Sequence, residues 1–114
     1  MKTAVLAMSL FIGGIAFGQV NDNATSAEKA VYLTTQMTQD LQLNATQAQQ
    51  ISDINLGIAQ KNDQVRTATN MTPEEKQSVL ISNNDARKKM YQGILTEAQF
   101  NQQVTIETAH PVTL

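Results

Sequence analysis

The chain contains no cysteine, no tryptophan, one histidine and two prolines in 114 residues. Without cysteine there are no disulfide staples, thiol nucleophiles or thiolate metal sites. The single histidine, His110, stands beside Pro111 near the end of the chain, far from any acidic cluster. Nucleophilic schemes are therefore left without their usual base, and transition metals without clustered imidazoles. Positive charge is also scarce. Eight Lys and Arg stand against ten acidic residues, and the one concentrated basic run is Arg87, Lys88 and Lys89. A nucleic-acid-binding domain needs a broader basic footprint. These counts predict no enzyme activity, no cofactor, no metal site and no nucleic-acid partner.

The one long apolar stretch is at the start. In "MKTAVLAMSLFIGGIAFGQV", Lys2 precedes an apolar run from Ala4 to about Ile15, and Ala16 and Gly18 are small residues. That order predicts a signal peptide over 1–18, cleaved before Gln19. The run is shorter than the roughly 20 residues of a membrane span, so no stable membrane insertion is expected after cleavage. The expected location is periplasmic or secreted. The remaining 96 residues carry seven basic against ten acidic side chains, a net charge of −3, and three aromatic residues, Tyr32, Tyr91 and Phe100. Such a length supports one small domain with a modest core. Helix packing must supply its stability, and self-association would add to it. The expected division is a flexible N-terminus over 19–25, a helical domain over 26–108 and a frayed tail over 109–114.

Four places share one local grammar: "ATSAE", "LNATQ", "MTPEE" and "LTEAQ". In each, the second residue (Thr25, Asn44, Thr72, Thr96) can cap the free amides of a helix's first turn. The fifth (Glu28, Gln47, Glu75, Gln99) can reach back to complete a capping box. Pro73 strengthens the third start, because a missing N–H costs nothing there, and Glu74 and Glu75 suit the positive helix end. Four helices are predicted.

Between these starts the apolar residues recur at helical spacing. Ala27, Ala30, Val31, Leu33, Met37 and Leu41 share one side of the first helix. Ala48, Ile51, Ile54, Ile58 and Val65 do so in the second, and Val79, Leu80, Ala86, Met90 and Ile94 in the third. The short last helix carries Phe100 and Val104. Asn83 and Arg87 interrupt the third stripe, and Asn55 and Asn62 border the second. They are read either as polar edges of a narrow stripe or as a polar groove between protomers. No segment after the leader has strand patterning, so the class is all-α.

Two of the helix starts form an echo about fifty residues apart. Leu95, Thr96 and Gln99 form a full LTxxQ motif, and Leu43 and Gln47 match it with Asn44 in place of Thr. The pair resembles the Spy/CpxP family of periplasmic LTXXQ-motif proteins. The resemblance implies a four-helix elongated hairpin or cradle, dimeric, and a role as an ATP-independent envelope chaperone or stress-response adaptor. Its partners would be unfolded or envelope client proteins. Alternatives within that likeness are a structural or regulatory helical dimer without chaperone activity and a metal-responsive sensor. Chaperone members have a basic client-facing surface, whereas this mature chain is net acidic.

The motif residues themselves have a mechanical explanation. With Thr96 as N-cap, Leu95 precedes the cap and Phe100 follows Gln99, so a capping box and a hydrophobic staple coincide. Protein binding is expected elsewhere. Tyr32, Leu56 and Ile81 project away from their helices' main apolar arcs and are candidates for a shared client or dimer patch. Arg87, Lys88 and Lys89 are candidates for contact with acidic segments, with Asp85 placed to pair with Lys88 or Lys89.

Overall fold

All four capping residues start helices. The computed structural model describes residues 24–114, with α1 over Ser26–Leu41, α2 over Ala45–Thr67, α3 over Pro73–Gln92 and α4 over Glu97–Ala109. The expected leader over 1–18 and its expected cleavage before Gln19 lie outside the described residues. Each N-cap side chain accepts from the amide three residues on, and each Glu or Gln at that position accepts from the cap's own N–H. Two free donors at every helix start are thus satisfied locally. Among the described residues the fold is all-helical, and no helix is long and apolar enough to cross a membrane.

Short connections make successive helices antiparallel. Ser26 donates to Asp63 and Asn55 to Thr34, which runs α1 against α2. Asn83 donates to Asn62, and Tyr91 to Asn55, which runs α3 against α2. α4 returns beside α3 and α1, meeting Arg87 through Glu107 and the end of α1 through Gln99 and Gln102. The result is an up-down-up-down ring of helices. Its first turn, between α1 and α2, depends on Gln42, which takes a left-handed conformation (φ 54°). That bend lets the Leu43 amide bond back to the Thr38 carbonyl and carries Leu43 into the core.

The apolar stripes of α1 and α2 are buried along their centres. Leu33, Met37, Leu41, Ile51 and Ile58 form the core with Leu43, Ala59, Tyr91 and Leu95. Val31 is a correction, being 62% exposed. The positions facing α2 are Ala30, Leu33, Met37 and Leu41, spaced three or four apart, and Val31 falls beside that line.

The expectation for α3 needs a larger correction. Met90 and Ala86 are exposed, while the buried residues are Arg87 and Tyr91, with Leu80, Asn83 and Asn84 half-buried. The supposed interruptions of the stripe are its inward face. α4 behaves alike, burying Gln103 and Glu107 and exposing Val104. Both helices face inward with polar groups because Arg87, Tyr91 and Glu107 supply one another's donors and acceptors there.

The tail is not frayed. Burial alternates along it, with Pro111 and Thr113 exposed, Val112 half-buried and Leu114 buried, as in an extended segment laying one side on the core. Asn62 Nδ2 donates to the Leu114 main-chain oxygen at 3.1 Å, and Arg66 donates to the same atom.

Candidate functional site

The two motif copies meet. Gln47 Nε2 donates to Gln99 Oε1 at 2.8 Å and to the Ile94 carbonyl at 3.2 Å, while Gln99 Nε2 donates to the Leu41 carbonyl at 3.1 Å. Each glutamine carbonyl also accepts from its own N-cap amide. The starts of α2 and α4 are therefore locked together by reciprocal side-chain amides. Gln99 and Gln102 cover carbonyls at the C-terminal end of α1, which have no partner within their own helix. Leu43 and Leu95 are buried beneath this junction, and Phe100 packs against the same core. Asn44, Thr72 and Thr96 are spent on caps, with Gln47, Glu75 and Gln99 completing the boxes.

Farther along α4 lies a buried polar network. Arg87, 1% exposed, donates through Nη2 to Glu107 Oε1 at 2.7 Å and through Nη1 to Glu107 Oε2 at 2.9 Å. Its remaining N–H groups reach Asn84 Oδ1 and the Tyr91 hydroxyl, so all five donors are used. The guanidinium also lies 5.0 Å from the Tyr91 ring centre, a cation–π distance. Tyr91 donates onward to Asn55, and Asn55 to Thr34. The network thus ties all four helices through polar contacts.

Electrostatics fix its charge state. Burial alone would raise the Glu107 pKa, but the hydrogen bonds and charge of Arg87, with the Gln103 amide, hold it below the usual carboxylate range. Burial would lower the Arg87 pKa, and its bonds to Glu107 and Tyr91 raise it instead. Burial pushes the Tyr91 phenol up to about 12, against the pull of Arg87. At neutral pH these are a cation, an anion and a neutral phenol, and none of the three is poised to exchange a proton. Their arrangement is suited to holding helices.

A groove of about 740 Å³ lies between α1, α4 and the tail. α1 and α4 touch where Gln102 Nε2 meets the Asp40 carbonyl. Leu33, Met37 and Ile106 give the groove apolar lining, and Val112 and Thr113 line it from the tail. Asp40, Lys29 and Arg66 are its charged lining residues. Lys29 lies 3.8 Å from Asp63, which Arg66 also approaches at 3.5 Å. A groove of this size falls within the usual range for ligand sites, about 300–1,000 Å³.

The expected binding residues separate. Tyr32 lines the groove; Leu56 is half-buried on α2, and Ile81, 53% exposed on α3, is not part of it. The basic run also divides, since Arg87 is withdrawn into the core while Lys88 is half-buried and Lys89 exposed. Arg87 is thereby corrected from a surface contact to a structural ion pair, because Glu107 and Asn84 supply acceptors that a solvated face would not need. Among the described residues Asp85 forms no ion pair. Nor do His, Asp and Glu gather there into a group of three able to hold a metal ion. Gln103, Tyr91 and Glu107 had drawn no functional attention from the sequence. Their one available signal was the helical spacing of Arg87 with Tyr91 and of Gln103 with Glu107, four residues apart in each case.

Among the described residues, fold and site together define four helices around an apolar core and a buried polar network, with a groove between α1, α4 and the tail. Comparison with family models, curated proteins and solved structures finds no match.

Proposed function

We propose that this is an exported helical protein-binding protein of the Spy/CpxP kind, acting in the bacterial envelope as an ATP-independent chaperone or stress-response adaptor. The observation that carries the reading is the α1–α4 groove, with half-buried Tyr32, Ile106 and Val112 for its apolar surface and charged Lys29, Arg66 and Asp40 in its lining. Apolar lining with a few charged groups suits short unfolded segments, which offer exposed apolar side chains beside polar main chain. Lys29 and Arg66 both approach Asp63, and Asp40 shares their lining, so positive and negative groups are interspersed at the groove. The paired LTxxQ-like starts support the family reading by their shared role in joining α2 and α4. The expected homodimer would cover exposed Val31, Ile81, Met90 or Val104, the large apolar residues left outside the core.

Light scattering by a chemically denatured client tests the proposal. Near-stoichiometric protein is expected to suppress aggregation, and Gln36→Trp, which fills the groove from α1, is expected to remove most of that protection at unchanged helicity. Absence of protection, or equal protection by the filled variant, counts against the groove. A protein that changes size with concentration yet protects no client would instead be the structural dimer.

A further inference from the structure

Gln103 is 3% exposed and lines the groove, yet only half of its amide is used. Its Nε2 donates to Glu107 Oε2 at 2.8 Å, and its Oε1 is buried with no hydrogen-bond partner among the described residues. The orientation is forced. A flipped amide would set a carbonyl oxygen against the ionised Glu107 carboxylate, which accepts only. Buried acceptors are nearly always paired, and one without a partner marks a place where a donor is favoured.

Two observations select the donor. Side-chain amide oxygens in this protein repeatedly accept main-chain N–H groups: Gln47 Oε1 from Asn44, Asn44 Oδ1 from Gln47 and Gln99 Oε1 from Thr96. The groove's own wall is also a segment whose burial alternates, with Val112 turned toward the core and Thr113 away. An extended chain thus already lines the groove that Gln103 lines. We infer that the groove binds an extended peptide segment of a partner protein, one main-chain N–H donating to Gln103 Oε1 and an apolar side chain resting on the half-buried Tyr32, Ile106 and Val112. This rests on the protein-binding reading and adds the chemical group that is recognised.

The probe is a short peptide, capped at both ends and alternating leucine with serine, with variants carrying an ester in place of one amide at each position in turn. An ester removes the N–H donor without adding bulk. Binding followed by fluorescence anisotropy is expected to fall about tenfold at one position, the size of a single buried hydrogen bond. In Gln103→Met that position is expected to lose its effect while the apolar contacts persist. Titration of the wild-type protein supplies a check independent of the variant's folding: the Gln103 side-chain carbonyl ¹³C resonance should move with the parent peptide and not with the critical ester. No distinguished position, or a penalty that survives in Gln103→Met, overturns the inference. If the parent peptide binds and clients are protected without any such dependence, the inference falls and the protein-binding reading stands. If neither peptide binding nor protection occurs, both fall.

Discussion

Two polar clusters hold α4 in place, one neutral and partly solvated, the other charged and buried. At the start of α4, Gln47 and Gln99 exchange amide hydrogen bonds while also serving their own capping boxes. Toward its other end, Glu107 meets Arg87 in a buried ion pair flanked by Asn84, Tyr91 and Gln103. The difference lies in what remains when one partner is lost. A half-exposed amide regains water, whereas a buried charge has nothing to turn to. The neutral cluster therefore positions α4, and the charged one determines how costly it is to displace.

Several substitutions would break that contrast. Arg87→Ala, leaving Glu107 without its cation, is expected to lower stability by about 3–5 kcal/mol in urea denaturation. Replacing both partners, Arg87→Met with Glu107→Leu, should recover much of the loss. A double variant as unstable as the single one would mean that the pair contributes beyond its own neutralisation.

The same cluster should respond at both extremes of pH. Glu107 has a depressed pKa in the folded protein, so its contribution is present above the ordinary carboxylate value of 4.5 and is lost as pH falls through the lower folded value. Tyr91 has a raised pKa, so its contribution is present below 10.0 and is lost as pH rises toward about 12 and beyond. Glu107→Gln should make the acid limb of stability against pH shallower, and Tyr91→Phe the alkaline limb. Unaltered limbs would place the pH dependence elsewhere.

At the neutral junction the effects should be smaller. Thr96→Ala is expected to cost about 0.5–2 kcal/mol as a lost cap, lowering the melting temperature while leaving client protection intact. Loss of protection at unchanged stability would give the motif a direct role in binding. The smallest effect is expected at Lys89→Gln, an exposed substitution that should stay within about 0.5 kcal/mol. A larger change there would show that the basic run acts as a unit despite the burial of Arg87.

The caps were legible because each needs only five consecutive residues, and the same local chemistry decides the outcome wherever the chain then travels. The inward faces of α3 and α4 were not. They are chosen by a partner 20 positions away, Glu107 for Arg87, and that choice leaves Met90 and Val104 outside. Periodicity counts apolar residues and has no means of recognising that a cation and an anion on different helices will satisfy each other in the interior. The groove was half visible. Tyr32 stands out as an apolar residue off its stripe, and Leu33 and Met37 read as core, where they are found, but the tail that lines the opposite side reads as frayed. Asn62 and Arg66 hold that tail from α2, a contact that depends on tertiary placement.

The central claim is that architecture resides in the motif junction and recognition in the groove. Amide chemical-shift mapping of the protein titrated with an unfolded client tests it most directly. The largest changes are expected at the groove-lining Gln36, Gln103, Ile106 and Thr113, with Asn44, Gln47, Thr96 and Gln99 little altered. Changes centred on the motif junction, or on Ile81 and Met90 along the outer side of α3, would contradict it.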